Sequence, residues 1–306
     1  MTVSNRSSGA GWPAWMLLLM PWVFVLIWST GFIVARFGMP HAPPLGFLAV
    51  RFALSVLAFG IWIALARAPW PATRAQWLHL SLAGVLMHAG YLGGVWVAIK
   101  HGLGAGLAAL IVGLQPLLTA LWLTASARGD AGLPRIRPKQ WAGLLFGLLG
   151  LLLVVWNKLG LGEASAFTVL SAGVALLSIT TGTLYQKRYV TACDVRTANS
   201  VQLLAALAVT APLAWWQGGA FAMQPGLVAA MAWSVLVLTL GGSSLLYILI
   251  QRGAATAVTS LLYLVPPVTA LMAWALFGEA LSAAVLCGFA LAAVGVGLVV
   301  GKAART

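Results

Sequence analysis

Few side chains in this sequence can do chemistry, and where they fall restricts that chemistry sharply. Its 306 residues include four acids, Asp130, Glu163, Asp194 and Glu279, and four histidines. All four acids fall in polar connections or at the ends of apolar stretches, so no carboxylate pair is placed for general acid–base work. His88 is different. It lies 12 residues after Gln76 and 12 before Lys100, which puts it about 18 Å from each end at helical rise. It is the one central group that titrates near neutral pH. Tyr91, three positions on, shares its helical face. His79 is half a turn out of phase, near a polar end, and is expected to snorkel toward the interface.

A second group sits at broken helix. Gln115 is 13 residues from both Gly102 and Arg128, and Pro116 follows it. Proline removes a backbone donor and obstructs the preceding turn, freeing carbonyls that protein or cavity water must satisfy. Pro266 and Pro267 repeat the break later in the chain. Thr119, Ser260 and Tyr263 stand near the two breaks, and each is open to two readings: lining a cavity or bonding its own helix. The run Gly241-Gly242-Ser243-Ser244, with Tyr247 one turn later, adds hydroxyls and small residues. Trp28, Tyr91, Tyr185 and Tyr263 supply aromatic bulk. Together these groups would hold a zwitterion by hydroxyls, an amide and helix dipoles without a formal charge. No His/Cys/Asp/Glu grouping has metal-ligand spacing, and no cofactor is expected. The sequence also lacks Gly-x-Ser-x-Gly, His-Glu-x-x-His and a P-loop, so neither an enzyme nor an ATP-driven pump is expected. Rings of charge or a repeated filter, which a channel would need, are missing too.

The elements that must position these residues follow from composition. The chain is 62% hydrophobic and 7% charged, with a mean hydropathy of +1.00. A soluble globule could not cover that much apolar surface. Ten apolar segments are each near the roughly 20 residues a bilayer needs: 14–36, 44–66, 75–98, 103–126, 139–156, 166–187, 195–216, 227–250, 255–277 and 282–301. The expectation is an all-α membrane protein with short connections and a polar leader, residues 1–13. The first segment is too long for a signal peptide and no small-residue cleavage site follows it.

With ten spans both termini share a side. Thirteen of the 17 basic residues fall on that side, so the termini are expected in the cytoplasm, in a multi-pass inner-membrane protein. Arg51 lies seven residues into the second span and is expected to snorkel or to pair. The net charge of +13 is spread over loops with no compact basic domain, so no nucleic-acid partner is expected. Trp12, Trp15, Trp70, Trp77, Trp141, Trp156, Trp215 and Trp216 near span ends read as an interfacial belt. Cys193, in a loop, and Cys287, in the last span, offer no disulfide framework.

The sequence also matches itself. Thr30-Gly31 falls on Thr181-Gly182, Arg36 on Lys187, and Lys100-His101-Gly102 on Gln251-Arg252-Gly253, all at an offset of 151. Ala105, Leu114, Pro116 and Thr119-Ala120-Leu121 match Ala255, Leu264, Pro266 and Thr269-Ala270-Leu271 at 150. After loop 127–138 the offset falls to 145, where Gly143 and Gly150 meet Gly288 and Gly295. Each copy, residues 14–157 and 158–306, would hold five spans, so the second must enter the membrane from the opposite side. Inverted repeats of this kind are a recurring design for secondary transporters. Glycines four apart (Gly90 and Gly94, Gly102 and Gly106, Gly143 and Gly147) suit close helix contacts, and Gly288 with Gly295 is expected to pack as the last pair does.

The stretch Leu26-Ile27-Trp28-Ser29-Thr30-Gly31-Phe32, followed by Pro43-Pro44 and Arg51-Phe52, resembles the opening of EamA-type members of the drug/metabolite transporter superfamily. Gly253 to Glu279, with Pro266 before Ala270-Leu271 and Gly278-Glu279 at its end, resembles their second-half signature. Arg128-Gly129-Asp130 departs from it, standing where a second Gly-Glu is usual, so an acidic gate residue is left only in the second copy. Within the superfamily the chain is most similar to the YddG-type amino-acid exporters. The resemblance implies alternating-access export of small metabolites, amino acids first, with nucleosides, sugars or lipophilic drugs as the alternative cargo. Proton coupling, where the cycle uses it, falls to His88; otherwise the protein is a facilitator.

Overall fold

The computed structural model describes residues 14–126, 138–160, 162, 164–242, 245 and 264–300. Among these every regular element is helical. Helix α1 spans Ala14–Gly38 and α2 Pro44–Ala66. Helix α3, Arg74–Gly84, runs through a π-helical segment, π1, Val85–Gly90, into α4, Tyr91–Lys100. Helices α5, Ala105–Val112, and α6, Gln115–Ser126, are separated at Gly113-Leu114. Helices α7, Pro138–Gly160, α8, Ala166–Tyr189, and α9, Val195–Gln217, follow. Helix α10, Pro225–Ala232, continues as π2, Trp233–Gly242, and the described part ends with α11, Val265–Phe277, and α12, Ala283–Val300.

Local sequence sets these boundaries. Thr73 opens α3 with a capping box closed by Gln76, and Ser165 does the same for α8 with Thr168. Proline at the first turn starts α2 and α10, where its missing donor is harmless. Gly278 ends α11 at φ 66°, a left-handed conformation that glycine takes without strain.

Seven described helical stretches are long and apolar enough to cross a membrane, and three shorter apolar ones accompany them. Their outward surface suits lipid rather than water. Trp156, Trp215 and Trp216 near helix ends are 81%, 90% and 87% exposed, and Trp70, Trp77 and Trp141 are exposed as well, as an interfacial belt requires.

Helix contacts are made through small residues, because in lipid it is van der Waals fit and not water exclusion that holds helices together. The most extensive contact among the described residues joins α7 to α12. There a Cβ on Gly150 would stand 2.5 Å from the Gly288 carbonyl oxygen, and one on Gly295 2.5 Å from the Gly143 carbonyl oxygen. The pairs expected to pack do so. Gly94 likewise admits the Ser171 carbonyl of α8 at 2.6 Å. Gly102 is the exception: it turns the chain at φ 102° with nothing near its α-carbon, so it is a turn residue and not half of a contact pair.

Boundaries recur 151 residues apart: α2 begins at Pro44 and ends at Ala66, α9 begins at Val195 and ends at Gln217. Helices α1 and α8 end 151 apart, and α3 and α10 begin 151 apart. The packing follows the same rule. Helix α2 lies on α9, α5 on α11 and α7 on α12, while π1 packs on α8 as π2 packs on α1. One end of the bundle is laced together by Lys100 Nζ donating to the Met39 carbonyl at 2.6 Å and Ala222 N–H to the His41 carbonyl at 2.8 Å. At that end Glu279 accepts the N–H of Ala105 at 2.8 Å and of Gly106 at 3.4 Å, capping α5.

Candidate functional site

At mid-length the bundle holds a buried polar group built around α2. Arg51 is 8% exposed, and its terminal nitrogen donates to Thr239 Oγ1 on π2 at 3.2 Å. It does not snorkel; it pairs. Thr239 Oγ1 in turn donates to the Ser234 carbonyl at 2.8 Å, five residues back, a bond that the wider π turn brings into reach. His88 lies on π1, edge-on to Phe52 with ring centroids 6.2 Å apart. Arg51 is within electrostatic reach of both His88 and Tyr91, and the Gln202 side chain of α9 lies near the His88 ring. Gln202 also donates from Nε2 to Gln186 Oε1 at 3.0 Å. Four buried polar atoms on these elements have no hydrogen-bond partner: Arg51 Nε, Ser55 Oγ, His88 Nε2 and Ser234 Oγ.

The backbone around His88 explains how it is held. A Cβ on Gly84, just before π1, would overlap the Gln202 backbone, and one on Gly90 would stand 2.7 Å from Ser178 Oγ. Gly182 of α8 admits Met87 at 2.6 Å. So α8 and α9 clamp π1 from two sides through glycines, yet none of Val85–Gly90 is fully buried. A segment pressed between helices but still accessible borders open space, and π-helical turns occur often at functional sites.

The other sequence-predicted residues separate into different places. Gln115 opens α6 and donates from Nε2 to Thr183 Oγ1 of α8 at 3.0 Å, while Thr119 bonds the Gln115 carbonyl of its own helix. The chain break near Pro116 is packed: a Cβ on Gly113 would stand 2.6 Å from Pro266 Cγ. Pro266 and Pro267 lie in the first turn of α11, and with Gly113, Leu114 and Phe289 they line a small apolar cleft. Trp28 leans on Phe24, centroids 5.2 Å apart, near Gly242 at the end of π2. Tyr185 is elsewhere, with His79: its hydroxyl is 2.7 Å from His79 Nδ1, and Tyr189 stacks on the same imidazole at 5.4 Å. His79 is therefore held by two tyrosines of α8. Ser243, Ser244, Tyr247, Ser260 and Tyr263 lie outside the described residues.

Sequence reasoning named His88 and Tyr91 and missed Gln202, Thr239, Ser55 and Ser234. The signal was present in the repeat. At the offset of 151, Arg51 falls on Gln202 and His88 on Thr239, so Arg51–Thr239 and Gln202–His88 are matching pairs from the two halves. Among the described residues no group of three or more His, Cys, Asp or Glu could hold a metal ion.

Apolar helices with their polar groups gathered at mid-length and two π-helical segments facing that centre define a polytopic membrane transporter. The chain belongs to the EamA-like transporter family, whose model matches it twice, over residues 14–156 and 166–301. It is similar to the inner membrane transporter YedA of Escherichia coli K12, 27% identical over 261 residues that cover 84% of this chain and 81% of that protein. It is also similar to a probable amino-acid metabolite efflux pump of Salmonella typhimurium, 29% identical over 164 residues, 54% of this chain and 51% of the pump. A solved crystal structure shares the fold with a TM-score of 0.60 at 20% identity, covering 96% of this chain and all of that one. The protein is thus a multi-pass membrane transporter of the EamA type.

Proposed function

We propose that this transporter is a secondary carrier that exports small metabolites, amino acids foremost, by alternating access, with both termini in the cytoplasm. Its working unit is two inverted five-helix repeats, residues 14–157 and 158–306. The observation that carries this reading is at the centre, where Arg51 of the first repeat donates to Thr239 of the second at 3.2 Å, and the residues matching those two, Gln202 and His88, also lie near each other. Repeats that swap conformations about such a centre would open it to either side in turn. The double match of the family model and the recurrence of helix boundaries support the same division. Amino acids are favoured as cargo by the likeness to the Salmonella efflux pump. Proton coupling, within this proposal, runs through His88.

The test is counterflow. Purified protein in liposomes loaded with unlabelled amino acids should accumulate labelled threonine, methionine, phenylalanine or lysine above protein-free controls. Absence of counterflow for all four, from folded protein, would end the amino-acid reading.

A further inference from the structure

We propose that the Arg51 guanidinium binds the carboxylate of the transported molecule, so that the carrier selects carboxylate-bearing cargo over amines and cationic drugs; this rests on the carrier reading above. A cation only 8% exposed, seven residues into a membrane helix, needs an anion or a full set of acceptors. Among the described residues Arg51 has one acceptor, the Thr239 hydroxyl, and its Nε has no partner. The two carboxylates among the described residues are engaged elsewhere, Glu279 on the α5 N-terminus and Asp194 on Arg196 at 2.7 Å. Asp130 and Glu163 fall in loops of the sequence.

The surroundings suit an oxyanion. Ser55, one turn beyond Arg51 on α2, has a buried hydroxyl without a partner, and so does Ser234 on π2. His88 Nε2 is likewise unpartnered and comes from π1, the segment that keeps accessible surface. A guanidinium offers Nε–H and a terminal N–H side by side, the fork that a carboxylate accepts with both oxygens. A substrate ammonium brought to this place would instead meet a fixed positive charge with no acid beside it.

The test uses purified full-length protein, both for equilibrium binding of labelled L-phenylalanine in detergent and for counterflow in liposomes. Unlabelled competitors are L-phenylalanine, 3-phenylpropionate, which keeps only the carboxylate, and L-phenylalaninol, which keeps only the ammonium. Expected is competition by 3-phenylpropionate, with phenylalaninol at least about tenfold weaker, the worth of a charge-assisted hydrogen bond. Arg51→Gln should weaken phenylalanine binding by at least the same factor, about tenfold, and Arg51→Lys should restore part of it, as a point charge without the fork. Equal competition by phenylalanine and phenylalaninol at the wild-type protein overturns the assignment, whether or not the variants fold. So does folded protein that binds neither phenylalanine nor 3-phenylpropionate. Carboxylate-dependent binding without counterflow upholds the Arg51 site and removes the carrier reading, while counterflow indifferent to the carboxylate does the reverse.

Discussion

The crossing of α7 and α12 can be put to a numerical test, because its geometry leaves no room for a methyl group. A Cβ at Gly150 would lie 2.5 Å from the Gly288 oxygen and 2.8 Å from the Ala292 nitrogen. Both partners are backbone and cannot rotate away, and comfortable contact needs about 3.5 Å, so Gly150→Ala must part the helices by roughly 1 Å. A gap of that size forfeits about a quarter to a half of each atom-pair attraction of roughly 0.1–0.2 kcal/mol. Over about 30 pairs at the crossing this comes to about 1–3 kcal/mol, the same range as is known for overpacked cores. Gly173→Ala on α8 is the control, since nothing lies within 4 Å of its added methyl, and it reports the propensity gain alone, up to about 1 kcal/mol. The assay is unfolding of both purified variants in mixed micelles by increasing SDS, followed by tryptophan fluorescence. Gly150→Ala should be less stable than Gly173→Ala by about 1–3 kcal/mol. Equal stability of the two would refute the claim that backbone contact at glycine holds this pair together.

Glu279→Ala should lower the thermal midpoint in detergent, since it strips the cap from α5 and leaves the Ala105 and Gly106 donors without their carboxylate, a loss of about 1 kcal/mol; an unchanged midpoint would show the cap to be idle. His88→Gln should keep counterflow but lose accumulation driven by an imposed pH gradient, and a variant that still accumulates cargo on that gradient would take His88 out of coupling. Cys193, in the loop between α8 and α9, reports topology: a membrane-impermeant maleimide should label it in inside-out vesicles and not in right-side-out ones, and the opposite pattern would invert the proposed orientation. Burial first, and then the Asp194 charge, push the Cys193 thiol above its ordinary pKa. The thiolate is the reactive form, so its labelling at neutral pH should be slower than that of a free cysteine and should quicken as pH rises through the raised pKa; a rate flat in pH would contradict the burial.

The helices and their contacts were largely legible because each rests on a strong, local signal. Long apolar runs bounded by Thr73, Ser165, Pro44 and Pro225 leave little choice about where helices begin, and glycine spacing at Gly143, Gly147, Gly288 and Gly295 marks where two of them touch. The sequence does not announce the π-helical turns. The first of them, π1, lies where α8 and α9 pack against Gly84 and Gly90, and tertiary crowding of that kind has no signature in the pattern of the helix itself. Nor could the fate of His79 be read locally, since its partners Tyr185 and Tyr189 come from a helix about a hundred residues away.

The centre of the site was half legible for a related reason. His88 stands out because an isolated titratable group in an apolar run is conspicuous in a single span. Arg51 lies near the start of its span, where a long cationic side chain can reach the headgroups, and the span alone cannot tell outward from inward. What decides is α9, which packs along α2, and π2, which brings Thr239 to the guanidinium. Both facts accord with the sequence's match to itself at an offset of 151, which pairs Arg51 with Gln202 and His88 with Thr239. At that offset a permanent charge stands in only one copy, Arg51 falling on the neutral Gln202. The Gln202 amide donates to Gln186 at 3.0 Å. The guanidinium, with one hydroxyl for company, still needs an anion, and for that reason the assignment of cargo turns on Arg51 rather than on the more conspicuous histidine.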